Sequence, residues 1–296
     1  MRLGVHTSIA GSLEKSALIA AGLGANTFQI FSASPRMWRA SPPDPVCVKL
    51  LREARDRFDL FPLVIHTNYL INLAAADPEV RSKSILAFRG ELERAAIIGA
   101  EYLVVHPGNC RGRTAEEGVA ACALGIEEAA RNLDLRQATL LLENTVGAGG
   151  QLGSTFEELH AIRDITGKLS NIPIGYCLDT CHLLAAGFDI STAAGLEQTV
   201  HRAEQILGLK NVRIFHANDS KTKLGSHVDR HEDIGRGYIG LEGFRRILAH
   251  PKMRERPFIL ETPYKSVGDD RRNLDILRSL APKAPVRRRK RGRQGA

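Results

Sequence analysis

Eight short apolar runs recur along the chain, with helix-patterned stretches between them. They are LGVHTS (3–8), TFQIFS (27–32), LVIHT (63–67), YLVVHP (102–107), TLLLEN (139–144), IGYCLDT (174–180), VRIFHAND (212–219) and FILETP (258–263). Each has the length and composition of a buried strand. Between them lie segments such as SLEKSALIAAGLGA, EVRSKSILAFRGELERAAIIGA, TAEEGVAACALGIEEAARNL and AGLEQTVHRAEQILGL, with apolar residues at helical spacing and mostly a Gly at the end. Strand and helix alternating eight times predict an α/β chain folded as a (β/α)8 TIM barrel. The competing architecture, an open doubly wound sheet, lacks support because no G-x-G-x-x-G follows the first run. No Pro/Ser-rich linker interrupts the alternation, so residues 1–281 are expected to form one catalytic domain.

The 296 residues are 43% hydrophobic and 25% charged, which suits a globular chain large enough for such a core. No apolar run approaches the roughly 18 residues that a membrane span needs. The start, MRLGVHTS, lacks the charge-then-apolar order of a secretory signal and reads as the first strand. The five cysteines are odd in number, irregularly spaced and without a C-x-x-C, which points to a reducing compartment. The expected location is therefore cytoplasmic, with nucleoid association if the source is bacterial. The formal charge of +8 is concentrated at the end: Lys283, Arg287, Arg288, Arg289, Lys290, Arg291 and Arg293 account for seven of 41 basic residues, leaving 34 against 33 acidic ones. Residues 282–296 are thus expected to be a disordered basic tail, serving either as an electrostatic tether to nucleic acid or only as a solubilising end.

The C-terminal strand ends of a (β/α)8 barrel face its active site. Reading the last residue or two of each run gives His6, His66, His106, Glu143, Asp179, His216 and Glu261, with TFQIFS alone lacking such a group. One strand-end histidine is most often structural. So many at equivalent positions would crowd charge into one mouth, which calls for compensating cations. Strand alternation supports the convergence: Val64 and His66, Val104 and His106, and Ile259 and Glu261 each share a face. His182 stands about one turn into the helix after Asp179, and Asp229 and His231 share a face of the loop GSHVDRHEDIGRG. His227 in that loop is expected to serve the loop's own hydrogen bonding. In CLDTCH the cysteines are expected to pack, Cys177 one layer below Asp179 and Cys181 beside His182.

The candidate metal ligands are therefore His66, His106, Glu143, Asp179, His182, His216, Asp229, His231 and Glu261. Mixed imidazole and carboxylate favour zinc, manganese or iron over magnesium. Nine ligands exceed the needs of one or two ions and suit three with bridging carboxylates. Such clusters serve phosphate-ester hydrolysis, because cations make a nucleophile from water at neutral pH and neutralise the attacking and leaving oxygens.

The segments HTNYLINLA, VVHPGN, LLENTVGAGGQLG, CLDTCHLLAAGFD, FHANDSK, GSHVDRHEDIGRGYIG and ILETP closely resemble the endonuclease IV family of apurinic/apyrimidinic endonucleases, from GVHTSIAGSL to about residue 280. The resemblance implies a single-domain (β/α)8 barrel with three Zn2+ ions, Mn2+ being possible at one or more sites. It implies hydrolysis of the phosphodiester 5′ to an abasic site in duplex DNA, leaving a 3′-hydroxyl, by a hydroxide between two of the ions. It groups His66, His106 and Glu143 at one ion; Glu143, Asp179, His216 and Glu261 at a second; and His182, Asp229 and His231 at a third. Glu143 then bridges two ions and orients the nucleophile as the catalytic residue. In SPRMWRA, Arg36 resembles an arginine that enters the DNA stack. Tyr69 and Leu70 resemble the pair that fills the gap left by the extruded nucleotide. Damaged duplex DNA is the implied partner of a monomer. The basic tail has no counterpart in the family core.

Two other functions compete. A metal-dependent sugar isomerase on a related barrel would use Glu143, Asp179, His216 and Glu261 but leave five candidates unexplained. A non-catalytic DNA-binding protein with structural metals would ordinarily close its sites with cysteines, which this mouth almost lacks.

Overall fold

The computed structural model describes residues 1–135 and 138–282; the charged residues assigned to the tail lie outside them. The eight apolar runs form the parallel strands β1 (Leu3–His6), β2 (Thr27–Phe31), β3 (Leu63–His66), β4 (Tyr102–Val105), β5 (Thr139–Glu143), β6 (Ile174–Asp179), β7 (Val212–His216) and β10 (Phe258–Leu260). They pair in sequence and close where β10 meets β1, giving a single-domain (β/α)8 barrel. Two further strands, β8 (Asp219–Ser220) and β9 (His231–Glu232), make a short antiparallel ribbon in the connection after β7.

The helices are α1 (Leu13–Gly22), α2 (Pro45–Phe58), α3 (Pro78–Ile98), α4 (Ala115–Ala130), α5 (Phe156–Leu169), α6 (Thr180–Ala185), α7 (Ala193–Ile206), α8 (Gly240–Ala249) and α9 (Asp269–Leu280). Local chemistry fixes their starts. Asp77 accepts from the backbone N–H groups of Glu79 and Val80 while Pro78 opens α3 with a preset φ. Thr114 with Glu117, and Thr155 with Glu158, form reciprocal capping boxes at α4 and α5.

The core has two parts, as strand alternation requires. One lies between strands and helices; the other fills the barrel with Val64, Val104, Leu141, Cys177, Ile214 and Ile259. Six strands contribute one residue each to this inner plug, while β1 and β2 contribute none. A register shift between β6 and β7 moves the pairing from Tyr176–Val212 to Cys177–Ile214, so Arg213 is the extra, exposed residue of a bulge. The shift sets Cys177 opposite Ile214 in the plug and Asp179 opposite His216 at the rim. Among the described residues, no helix is long and apolar enough to cross a membrane.

Candidate metal centre

Strand ends, the start of α6 and the connection after β7 deliver the predicted side chains to one mouth, where they form three cysteine-free groups, two of which overlap; two further sets draw in the buried Cys177 and Cys181. Ligand atoms lie within 4.8 Å of one another in each of the sets His66–His106–Glu143, Glu143–Asp179–His216–Glu261 and His182–Asp229–His231. Glu143 belongs to two of them and divides its oxygens accordingly. Its Oε2 is 3.1 Å from His66 Nε2 and 3.0 Å from His106 Nε2, and its Oε1 is 2.8 Å from His216 Nδ1. Oε2 of Glu261 is 3.2 Å from that same His216 nitrogen. The third group is looser, with His182 Nε2 3.3 Å from Asp229 Oδ2 and His231 Nε2 3.4 Å from Asp229 Oδ1. Exposure grades across the cluster: the Glu143 and His216 side chains are buried, whereas that of Asp229 is 47% exposed.

Ring orientation is set by backbone carbonyls. Nδ1–H of His66 donates to the Thr67 carbonyl at 2.8 Å, that of His182 to the Asn144 carbonyl at 2.9 Å, and that of His231 to the Glu261 carbonyl at 3.1 Å. Each bond leaves Nε2 bare and aimed into the cluster, as metal-binding histidines require. Asp179 caps α6 by accepting from His182 N–H at 2.9 Å, which explains why His182 follows it by three residues. The Asn218 amide donates to Asp179 Oδ2 at 2.6 Å, and its Oδ1 accepts from Glu261 N–H at 2.8 Å.

The donor set fits bound cations. His231 Nε2 is buried and has no hydrogen-bond partner, yet carboxylates of Asp179 and Asp229 face it at 3.6 and 3.4 Å. A bare imidazole lone pair turned towards two anions is unfavourable unless a positive centre lies between them. The protonation tendencies agree. Burial alone would suppress charge on His182, but Asp179, Asp229 and Glu143 outweigh it and push its pKa up to about 10. Burial would likewise hold Glu143 neutral, but His216 and His106 keep it ionised well below the usual carboxylate range.

The loop bearing Asp229 and His231 hangs on Asp219. This buried carboxylate accepts from the backbone N–H groups of Ser220, Gly235, Gly237, Ile239 and Gly240 at 2.8–3.2 Å. A Cβ on Gly237 would overlap the Ser220 carbonyl and the Asp219 carboxylate, which accounts for that glycine in DIGRGYIG. His227 departs from expectation. Its Nδ1–H donates to the Val146 carbonyl at 2.7 Å and its backbone N–H to that of Ala185, so it ties the loop to its neighbours instead of to itself.

Above the cluster opens a cavity of about 1080 Å³, whose walls include Ile9, Phe31, Tyr69, Pro263 and Tyr264. Tyr69 is 70% exposed and meets Phe31 edge-on with centroids 5.2 Å apart. Arg36 is exposed and Leu70 half-buried, whereas Trp38 packs against the main core. The loops carrying Arg36 and Tyr69 are joined through Asn68, which donates to Glu91 at 3.4 Å and to the Met37 carbonyl at 3.5 Å. Glu91 in turn holds Ser32 at 2.5 Å and pairs with Arg94 at 3.2 Å, all buried.

Sequence reasoning missed Gln29, and with it the strand judged to lack a polar group. Its Nε2 lies 2.5 Å from Glu261 Oε1 and 2.9 Å from His6 Nδ1, and its Oε1 lies 2.8 Å from His216 Nε2. It stands two residues before the end of β2, so a search confined to the last positions of each strand passes over it. A polar residue between Phe28 and Ile30 in a buried run was the available signal. Cys177 sits in the inner plug and Cys181 is buried with its thiol against the Arg230 carbonyl at 3.6 Å, so both pack as expected.

Known proteins share this architecture and sequence. A family model described as a xylose isomerase-like TIM barrel matches residues 18–281. A protein of Solibacter usitatus named "Probable endonuclease 4" is 68% identical over 95% of this chain and 97% of its own. The crystal structure of endonuclease IV from Thermus thermophilus matches with a TM-score of 0.83 at 37% identity, covering 95% of this chain and 98% of that one. A D-tagatose 3-epimerase-like protein matches with a TM-score of 0.66 at 22% identity over 95% and 97% of the two chains, a likeness of fold alone.

Proposed function

The chain belongs to the endonuclease IV family, DNA-repair nucleases that hydrolyse phosphodiester bonds at abasic sites, and on that premise we propose its chemistry and its ligand set. It cleaves duplex DNA on the 5′ side of an abasic site and leaves a 3′-hydroxyl. Three Zn2+ ions are held, one by His66, His106 and Glu143, one by Glu143, Asp179, His216 and Glu261, and one by His182, Asp229 and His231. The observation that carries this is that nine convergent histidines and carboxylates come within ligand distance of one another in three cysteine-free sets, two of which share Glu143. When bound, the ions supply a nucleophilic water at neutral pH and neutralise charge on the attacking and leaving oxygens.

The chain's own residues do the rest. Glu143, with one oxygen turned towards each of two groups, orients the attacking water. Tyr69 and Leu70 fill the gap left by the extruded nucleotide, and Arg36 enters the stack; extrusion is least costly where a base is already missing. The barrel, residues 1–281, acts as a monomer, and the basic residues of 282–296 add sequence-independent affinity for phosphates.

Two measurements test the assignment. Elemental analysis should find about three zinc ions per chain, one for each ligand group; one or two would favour the isomerase-type site. The incised strand should be extended directly by a DNA polymerase, and a product that cannot be extended would contradict the 3′-hydroxyl.

A further inference from the structure

Four of the histidines around the cluster have a second ring nitrogen engaged, and one of them is engaged differently. His66, His182 and His231 each give that nitrogen to a backbone carbonyl, which no substitution can remove. His216 gives its own to the side chain of Gln29.

The hydrogen bonds of Gln29 determine the protons around it. Glu261 can only accept, so the Gln29 atom 2.5 Å from it is the NH2 group. The other hydrogen of that group points at His6 Nδ1, 2.9 Å away, which must therefore accept. The remaining Gln29 atom is the carbonyl oxygen, 2.8 Å from His216 Nε2, so His216 must carry its proton on Nε2. Its Nδ1 is then the atom left for a cation, and it is the atom that faces Glu143 at 2.8 Å and Glu261 at 3.2 Å. His216 therefore presents Nδ1 to the cluster, whereas His66, His182 and His231 present Nε2.

We propose that Gln29 is a positioning residue for the second cation site, fixing the His216 tautomer and the Glu261 carboxylate with one amide. The inference rests on the metal assignment above. Few side chains could do this: the group must accept from an imidazole and donate to a carboxylate at once, with a further hydrogen for His6. A hydroxyl has one hydrogen, and a carboxylate has none and would add a third anion beside Glu143 and Glu261. The fold holds the amide in place. Gln29 is paired with His6 across β1–β2 and with Val64 across β2–β3, level with the inner plug to which β1 and β2 add no apolar residue.

The test compares the full chain with Gln29→Leu and Gln29→Glu. Zinc affinity is measured by competition with a chromophoric chelator, and the His216 ring nitrogens are read by long-range proton–nitrogen NMR of the zinc-loaded proteins. In the native protein His216 should be zinc-bound at Nδ1 and protonated at Nε2. Gln29→Leu should weaken one zinc ion by about 10- to 100-fold and lose the single His216 signature. Gln29→Glu should keep that signature, because its carboxylate still accepts from Nε2–H, yet bind zinc more weakly, because Glu261 loses the donor at its Oε1. Circular dichroism establishes that each variant is folded, and a misfolded Gln29→Leu leaves Gln29→Glu to decide. If native protein binds zinc and both variants match it within about two-fold with an unchanged His216 signature, Gln29 has no positioning role. A native protein that binds no zinc would overturn the metal assignment itself, and this inference with it.

Discussion

At the scale of single residues the cluster is a balance of imidazoles and carboxylates. Without a cation, protons must do the work of charge compensation. His182 is buried, which by itself disfavours its charge, but the facing carboxylates lift its pKa to about 10 from 6.5. A histidine whose folded pKa is raised stabilises the fold fully below its unfolded value and loses that contribution as pH climbs through the folded one. Chelator-treated protein should therefore lose thermal stability as pH rises from 6.5 towards about 10, while zinc-loaded protein, whose carboxylates are compensated by the ions, should lose less. Parallel melting curves across that range would contradict the account. All nine candidate ligands were legible in the sequence: six because a polar residue closing a buried strand breaks an otherwise apolar pattern, and His182, Asp229 and His231 by their spacing beside those strand ends. Gln29 was not, because an amide carries no charge to draw attention and lies two positions before the strand end. Asn218 and Asn144 were equally hidden, since their roles are bonds to residues distant in the chain.

At the scale of elements, the loop after β7 shows how far backbone can be fixed by a single side chain. Five N–H groups converge on Asp219, and the β8–β9 ribbon pairs Ser220 with His231, so the third ligand group is held by a frame and not by a free loop. Gly237→Ala would push a methyl group into the Ser220 carbonyl and Asp219 carboxylate. We expect that variant to keep a folded barrel while the His182–Asp229–His231 group holds a cation at least about 10-fold more weakly, as seen when supporting contacts of a metal site are lost. Chelator competition measures this, and native affinity at all sites would refute the framing role of Asp219. The alternation of strands and helices was visible as periodicity and caps. The ribbon was not, because two-residue strands carry no periodicity. Nor was the bulge at Arg213, since a register shift depends on the partner strand.

At the scale of the whole molecule, the barrel gathers the nine candidate ligands from the ends of six strands and their connections into one mouth, while nearly all of the net positive charge belongs to the chain's last residues. Residues 283–296 carry seven basic residues and no acid, and the rest of the chain is near neutral, with 34 basic and 33 acidic residues. Deleting the chain after residue 282 should weaken DNA binding and flatten its dependence on salt, because each phosphate contact contributes nearly one unit to the slope for duplex DNA; an unchanged slope would leave the tail without a role on DNA. The barrel was legible from eight strand–helix repeats. The grouping of the ligands around Glu143 came only with the family resemblance, because strand periodicity does not show how barrel closure sets β3, β4, β5 and β7 side chains within a few ångströms of each other. The central claim is that this mouth, loaded with cations, incises DNA at abasic sites. Its most direct test is incision of a duplex bearing one abasic site, with zinc-replete protein and with the same protein stripped by chelator. The account predicts a single cut on the 5′ side of the lesion that is lost on stripping and restored by zinc; an intact duplex with the zinc-replete protein, or equal cutting by the stripped one, would contradict it.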